Sequence, residues 1–407
     1  MINKIKKALS TRWNMLRARM GNIRHVTNCY DLIVLDDLFP HLTTAFRVAE
    51  YSEYLTHFSN VVLFSSAASF AYINEPRNLS AIIAEYTNYH PKLAGKVLQF
   101  HPGRKLRARL AYVMFLHNAC DFLDVLEKNK LPFIFQLYPG GTFQLNDSES
   151  DRKLAKVCGS PYLRHVIVTQ LVTYNYLIDK GFCRIAQVTL IYGVVVPLQK
   201  LLTSLPARLE YKVSKLTLDI CFVAGKYMPA GKDKGYDIFI AAAGKLAQQF
   251  SDLRIHVVGP YNDGDVPAPG LAGIITFYGT QPTHFFPAFY ARMDAIVSPN
   301  QSFVLNEGAF DGFPTASCVE AGACGVALFC TDDLGQNIAF QDKHDIVLIQ
   351  ADADDVAEKV GHYLGQYDQL VALGLRVQQI IKHVFTADVQ IKKRIEIIEN
   401  NLSLVVG

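Results

Sequence analysis

The sequence contains no C-x-x-C, no H-E-x-x-H, no G-x-S-x-G and no G-x-G-x-x-G, and only one tryptophan among its 407 residues. The missing zinc-helix motif and nucleophile elbow exclude a zincin and an α/β-hydrolase. The missing glycine fingerprint speaks against a nicotinamide dinucleotide site. Gly225 to Lys232 imitates a phosphate-cradling P-loop, but five residues separate its glycines and Asp233 stands where Ser or Thr would bind magnesium. No run reaches the roughly 18 apolar residues of a membrane span; the nearest, Val61 to Ile73, holds three serines. Eight scattered cysteines in mostly apolar contexts read as reduced thiols of a cytosolic protein.

Acid is missing from one place: none occurs before Asp31. Seven of the 40 lysines and arginines lie in residues 1–24, leaving 33 against 37 acidic residues in the rest. The body is therefore mildly acidic and lacks the basic stripe expected of a nucleic-acid-binding fold. In the arm, Ile2, Ile5, Leu9, Trp13, Leu16, Met20 and Ile23 recur at steps of three and four, an apolar stripe on a cationic helix. That make-up suits an anionic lipid surface, and the competing reading is a helix packed on the body.

What the chain has in abundance is apolar residue, 50%, with 25 Phe and 20 Tyr. Its length suits two domains. From Tyr30 onward short β-branched runs alternate with amphipathic stretches, the mark of βαβ units on parallel sheets. Strands are predicted at 32–35, 61–64, 133–137, 166–169 and 188–191, with residues 80–128 mainly helical and 110–126 the clearest helix. After a linker the alternation restarts, with strands at 218–223, 255–258, 274–277, 295–298, 326–329 and 345–349. Helices are predicted at 236–249, 285–292, 315–323 and 356–367. The organisation is an arm (1–29), an N-terminal Rossmann-like lobe (30–200), a linker (201–216), a C-terminal Rossmann-like lobe (217–385) and a final helix (386–407) crossing back. Ligands of such sheets bind beyond the carboxyl ends of the strands, here in the cleft between the lobes.

The most informative stretch is Asp311-Gly-Phe-Pro-Thr-Ala-Ser-Cys-Val-Glu320-Ala-Gly-Ala-Cys-Gly325: a loop, a helix and a glycine stop before a buried strand. A helix starting near Thr315 turns free N–H groups and a positive dipole end toward the loop, ready for phosphate. Glu320, one to two turns in, stands where a carboxylate can accept from vicinal hydroxyls. Two D-x-D triplets, Asp263/Asp265 and Asp352/Asp354, read as a polar turn and a helix N-terminus rather than as metal sites.

This stretch resembles the C-terminal lobe of GT-B glycosyltransferases, in particular the retaining family 4. Gly225-Lys226 with Lys234-Gly235, Leu253 to Gly259, Phe285 to Pro299, and His165 to Gly181 follow the family's order over about 350 residues. The resemblance implies a nucleotide-sugar donor as co-substrate, no other cofactor, metal independence, and a glycan or lipid-linked acceptor. It implies that Lys226 and Lys234 neutralise the donor diphosphate, Glu320 holds the ribose, Asp311 meets the transferred sugar, and the backbone of Phe313, Pro314, Thr315 and Ala316 cradles its oxygens. In the N-lobe, Arg47, Tyr138, Gly140 and Gly141 are expected near the donor, and Asp37 and His41 are base candidates should the reaction invert. Eight residues separate Asp311 from Glu320 where the family has seven, and Tyr138-Pro-Gly-Gly141 replaces its histidine. The expected product is a bacterial surface polysaccharide such as lipopolysaccharide, made at the inner face of the membrane. The alternatives are a nucleotide-sugar epimerase or hydrolase, or a non-catalytic scaffold of the same fold.

Overall fold

A computed structural model describes residues 29–42 and 44–404; the basic arm of residues 1–24 lies outside the described residues. The chain builds two parallel sheets. The first runs β1 (Tyr30–Asp36), α1 (Ala45–His57), β2 (Val61–Ser65), α2 (Leu79–Tyr89), β3 (Val97–Gln99), β4 (Ala108–Met114), α3 (Leu116–Lys128), β5 (Phe133–Leu137), α4 (Ser148–Cys158), β6 (Leu163–Val168), α5 (Leu171–Asp179) and β7 (Val188–Leu190), in the order β3-β2-β1-β4-β5-β6-β7. After a short helix α6 (Leu198–Thr203) come β8 (Leu218–Val223), α7 (Tyr236–Gln249), β9 (Leu253–Val258), β10 (Ile275–Phe277), α8 (Phe286–Tyr290), β11 (Ala295–Ser298), α9 (Ala316–Ala323), β12 (Ala327–Cys330) and β13 (Val347–Leu348), in the order β10-β9-β8-β11-β12-β13. Helices α10 (Ala353–Gly365), α11 (Tyr367–Val384) and α12 (Ala387–Leu404) close the chain. Among the described residues, no helix is long and apolar enough to cross a membrane.

A sheet covered by helices on both faces has no polar side, so its strands read as continuous apolar runs. Leu32, Ile33, Val34 and Leu35 are all fully buried, with Val34 registered against Leu63 on one side and Tyr112 on the other. The same rule explains the main error of the sequence reading. Residues 80–128 are not one helical tract, because β3 and β4 interrupt it. Leu110 to Met114 carry no alternation that would separate a doubly covered strand from a buried helix. The backbone settles it: Phe115 takes φ +71° between β4 and α3, a conformation no helix continues through.

Two junctions between the lobes fix how they meet. Segment 303–312 leaves the C-lobe sheet and enters the N-lobe core, where Phe310 lies edge-on to Phe143 at 5.8 Å and Leu145 N–H donates to the Gly308 carbonyl at 2.8 Å. A Cβ on Gly308 would come within 2.1 Å of the Leu145 carbonyl, so the approach needs glycine. At the chain end, α12 packs on the N-lobe through the fully buried Arg394, whose Nε donates to Gln136 at 2.8 Å and stands 3.6 Å from Glu50. Glu50 also accepts from Tyr54, Tyr112, Gln136 and Tyr138. A buried charge pair with its remaining sites filled tolerates truncation of one member poorly, about 3–5 kcal/mol.

Candidate functional site

Two clusters face each other at the carboxyl ends of the two sheets. In the N-lobe, β1 ends on Asp36 and Asp37 follows it, both buried. Asp36 accepts from Leu38 N–H at 2.8 Å, Phe39 N–H at 2.7 Å and Arg47 at 2.8 Å. Asp37 Oδ1 accepts from Arg47 at 2.8 Å and Asn118 at 2.9 Å, and its Oδ2 accepts from Ser69 and from His117 Nε2 at 3.0 Å. Burial alone would raise the Asp37 carboxyl, but the His117 hydrogen bond and the charges of Arg47 and His117 hold it well below the usual carboxylate range.

His117 starts α3. Its Nδ1 faces the Gly141 carbonyl at 3.2 Å while Nε2 faces Asp37. Both partners are acceptors, so both ring nitrogens are used only when the imidazole carries two protons. Burial opposes that charge, yet the Asp37 bond and charge raise the His117 pKa overall. Gly141, at φ +57°, makes this possible, since a Cβ there would lie 2.7 Å from Phe115 and 2.8 Å from His117 Nδ1. Gly140, at φ +83°, is open on its Cβ side.

These contacts correct several expectations. Arg47 is not free to meet a donor, because its guanidinium is held between Asp36 and Asp37 and lies over the Phe115 ring at 4.7 Å. The Tyr138 hydroxyl points into the N-lobe core, 3.2 Å from Glu50. His41 is buried against Glu75 at 2.7 Å. Asp37, the other base candidate, has both oxygens filled by donors and stands as counter-ion to Arg47 and His117. His117 and Asn118 went unnoticed in the sequence because a spacing of about 80 residues from Asp37 carries no local signal.

The C-lobe cluster is looser. Lys226 follows the end of β8 and pairs with Asp265 at 2.8 Å, above the Tyr261 ring. Lys234 sits just before α7, buried, 2.5 Å from Asp311, 3.6 Å from Asp233 and 5.0 Å from the Tyr227 ring. Burial would lower its pKa, but the Asp311 carboxylate raises it. Gly235 brings this lysine close: at φ +66°, its Cβ would meet the Pro299 carbonyl at 2.0 Å. Asn300 donates to Asp311 at 3.1 Å and Gln336 donates to the Asp311 carbonyl at 3.0 Å.

Around Asp311 a pocket is lined by Ser298, Asn300, Gly312, Phe313, Thr315 and Thr331, among others. Phe313 and Pro314 turn into the core, leaving the backbone of this stretch toward the pocket, and Ala316 opens α9 with Thr315 as its N-cap. Glu320, on α9, has no hydrogen-bond or ion-pair partner among the described residues, and burial pushes its carboxyl up to about 7. Asp265 is spent on Lys226 and the Asn262 N–H, and Asp352 caps α10 by accepting from Asp354 and Asp355 N–H groups.

Residues 218–366 match the family model described as Glycosyl transferases group 1. No curated protein sequence matches the chain. Among solved structures it is similar to sucrose-phosphate synthase from Thermosynechococcus elongatus, with a TM-score of 0.62 at 12% identity over 92% of this chain and 100% of that one. It is also similar to Anabaena HepE in complex with UDP-glucose, with a TM-score of 0.63 at 13% identity over 92% and 99% of the two chains. A glycosyltransferase from Rickettsia africae gives a TM-score of 0.61 at 12% identity over 92% and 99%. At these identities what is shared is the fold, two Rossmann-like lobes in the GT-B arrangement.

Proposed function

We propose that this GT-B chain, whose C-terminal lobe carries the Glycosyl transferases group 1 domain, moves a sugar from a nucleoside diphosphate to a glycan or lipid-linked acceptor. The observation that carries this reading is the state of three side chains beyond the carboxyl ends of the C-lobe strands. Lys226 and Lys234 are held by acids, Asp265 and Asp311, which an arriving diphosphate can replace. Glu320 is a half-buried carboxylate without a partner among the described residues, an acceptor for the donors that the two hydroxyls of a ribose supply.

In this scheme Lys226 and Lys234 neutralise the charge that grows on the leaving diphosphate, and ammonium groups doing so need no divalent cation. The free amides at the start of α9 and the backbone from Phe313 to Ala316 receive phosphate or sugar oxygens. Asp311, released from Lys234, accepts from hydroxyls of the transferred sugar. With Asp37 filled by four donors, a retaining course is the better supported one. It asks for stabilised charge on the leaving group and the ring, not for a general base. Uridine is the first base to try, since HepE was solved with UDP-glucose. A hexosyl or deoxyhexosyl donor and a product at the bacterial surface complete the proposal.

The test is thermal stabilisation by UDP, GDP, dTDP and CMP, followed by transfer from the matching sugar nucleotides. One nucleoside diphosphate should raise the melting temperature of the wild type and not that of Lys234→Ala. Stabilisation by none of them would leave a non-catalytic scaffold, and donor hydrolysis that no acceptor changes would favour the epimerase or hydrolase.

A further inference from the structure

Two tyrosines beyond the carboxyl ends of the two sheets are left uncovered by the fold. Tyr72, between β2 and α2, is 81% exposed, and Tyr227, between β8 and α7, is 60% exposed. Connections at that edge of a parallel sheet line its ligand crevice, so the two rings belong to opposite walls of the cleft. Burial in the cleft raises the Tyr227 phenol, Lys234 lowers it, and Asp311, Asp233 and Tyr72 each raise it. Tyr72 therefore comes within electrostatic reach of the other lobe, beside the groups offered to the donor.

The segment that carries Tyr72 is firmly built. Phe70 is buried with Leu38, Leu79 and Ile82 in an apolar cluster of its own. Ser69 N–H donates to the Asp37 carbonyl at 3.3 Å, and its hydroxyl donates to the Asp37 carboxylate. Glu75 N–H donates to the Phe70 carbonyl at 2.9 Å, while its carboxylate pairs with His41 at 2.7 Å and with Arg77 at 2.8 Å. A loop tied down on both sides of position 72 presents that ring at little ordering cost to a ligand. On the other wall, the Tyr227 ring lies 5.0 Å from Lys234 Nζ. Its hydroxyl folds back over Gly225, where a Cβ would come within 3.0 Å of it.

We propose that Tyr72 and Tyr227 receive the acceptor by stacking on a pyranose ring, so that the acceptor presents a sugar rather than a bare lipid alcohol. This rests on the sugar-transfer reading above. The C–H face of a pyranose packs on an aromatic ring, and the two phenol hydroxyls can donate to or accept from the hydroxyls at its rim. Lys226, Lys234, Glu320 and residues 313–316, the groups offered to the donor, all belong to the C-lobe. A ring contributed by the N-lobe falls on the acceptor's side. A nucleobase would also stack on tyrosine, but Tyr72 would then be needed to bind the nucleoside diphosphate alone.

The experiment is saturation-transfer NMR on the full chain loaded with the nucleoside diphosphate that stabilises it. The probes are the methyl pyranosides of glucose, galactose, N-acetylglucosamine and rhamnose, beside n-octanol. At least one pyranoside should receive saturation from aromatic protons, most strongly at its ring C–H positions. Its affinity should fall about tenfold in Tyr72→Ala and in Tyr227→Ala and recover in Tyr72→Phe. It should be unchanged in Tyr89→Ala, an exposed tyrosine at the last turn of α2. Tyr72→Ala alters an exposed position and keeps the fold, so it decides the case should Tyr227→Ala not fold. Saturation of no pyranoside, preference for octanol, unchanged affinity in Tyr72→Ala, equal loss in Tyr72→Phe, or an equal loss of nucleoside diphosphate affinity would each overturn this inference alone. A chain that no nucleoside diphosphate binds would overturn the sugar-transfer reading beneath it as well.

Discussion

The two rims of the cleft differ in how completely their charges are used. On the N-lobe rim, Asp36, Asp37, Arg47, His117 and Asn118 fill one another's hydrogen-bonding positions inside the protein. Such a network fixes geometry and has little left to offer a ligand. On the C-lobe rim Lys226 leans on one carboxylate and Lys234 chiefly on Asp311, while Glu320 has no hydrogen-bond or ion-pair partner among the described residues. The lesson is that a site for a diphosphate is recognised less by how many charges it gathers than by how many can change partners. Arg47 and Tyr138, expected near the donor, and Asp37 and His41, the base candidates for an inverting reaction, all fall on the more fully paired rim.

Substitutions on the two rims sharpen this contrast. The largest effect is expected for Lys234→Ala, with a fall of about 100-fold in kcat/KM and little change in melting temperature, because Asp311 keeps Asn300 and is part-exposed. An equal collapse of stability would mean that Lys234 is structural. Asp37→Asn should do the reverse, lowering stability by about 2–3 kcal/mol in urea unfolding with nucleotide affinity unchanged. The loss should be smaller at high pH. The raised His117 pKa means the pair stabilises fully below the imidazole's ordinary value and fades as pH climbs through the raised one, while Asp37 stays charged until strongly acidic pH.

Glu320→Gln tests the unpaired carboxylate. A carboxyl raised to about 7 in the fold costs stability as pH rises from its unfolded value through 7. The glutamine variant should therefore be the more stable protein at pH 8, by about 3 kcal/mol, and no more stable at pH 4.5. Its affinity for a nucleoside diphosphate should fall about tenfold, the scale of one lost charged hydrogen bond. A pH-independent difference would mean that Glu320 is already ionised and solvated. The smallest effect is expected for Asp265→Asn, which frees Lys226 and should tighten nucleoside diphosphate binding about two- to threefold, the scale of one partly exposed ion pair.

The alternation of short apolar runs and amphipathic stretches was legible because each strand and helix is specified locally. The predicted helix at 236–249 coincides with α7, and the predicted strand at 218–223 with β8. The strand β4 was not legible, since a strand buried on both faces loses the period of two that would mark it. In the site, Lys234 and Asp311 carried a readable motif, but their pairing across 77 residues did not. The His117–Asp37 contact was hidden for the same reason, because its meaning comes from two strands being neighbours in the sheet. Residues 1–24, whose pattern in the sequence is among the clearest, lie outside the described residues.

The central claim is that Lys226, Lys234 and Glu320 receive the diphosphate and ribose of one donor. Its most direct test is calorimetric titration of the wild type, Lys234→Ala and Glu320→Gln with the nucleoside diphosphate that stabilises the protein, beside the same nucleoside without phosphate. A single site on the wild type should be weakened strongly in Lys234→Ala for the diphosphate and hardly for the nucleoside, and weakened in Glu320→Gln for both. Diphosphate binding that ignores either substitution would contradict the account.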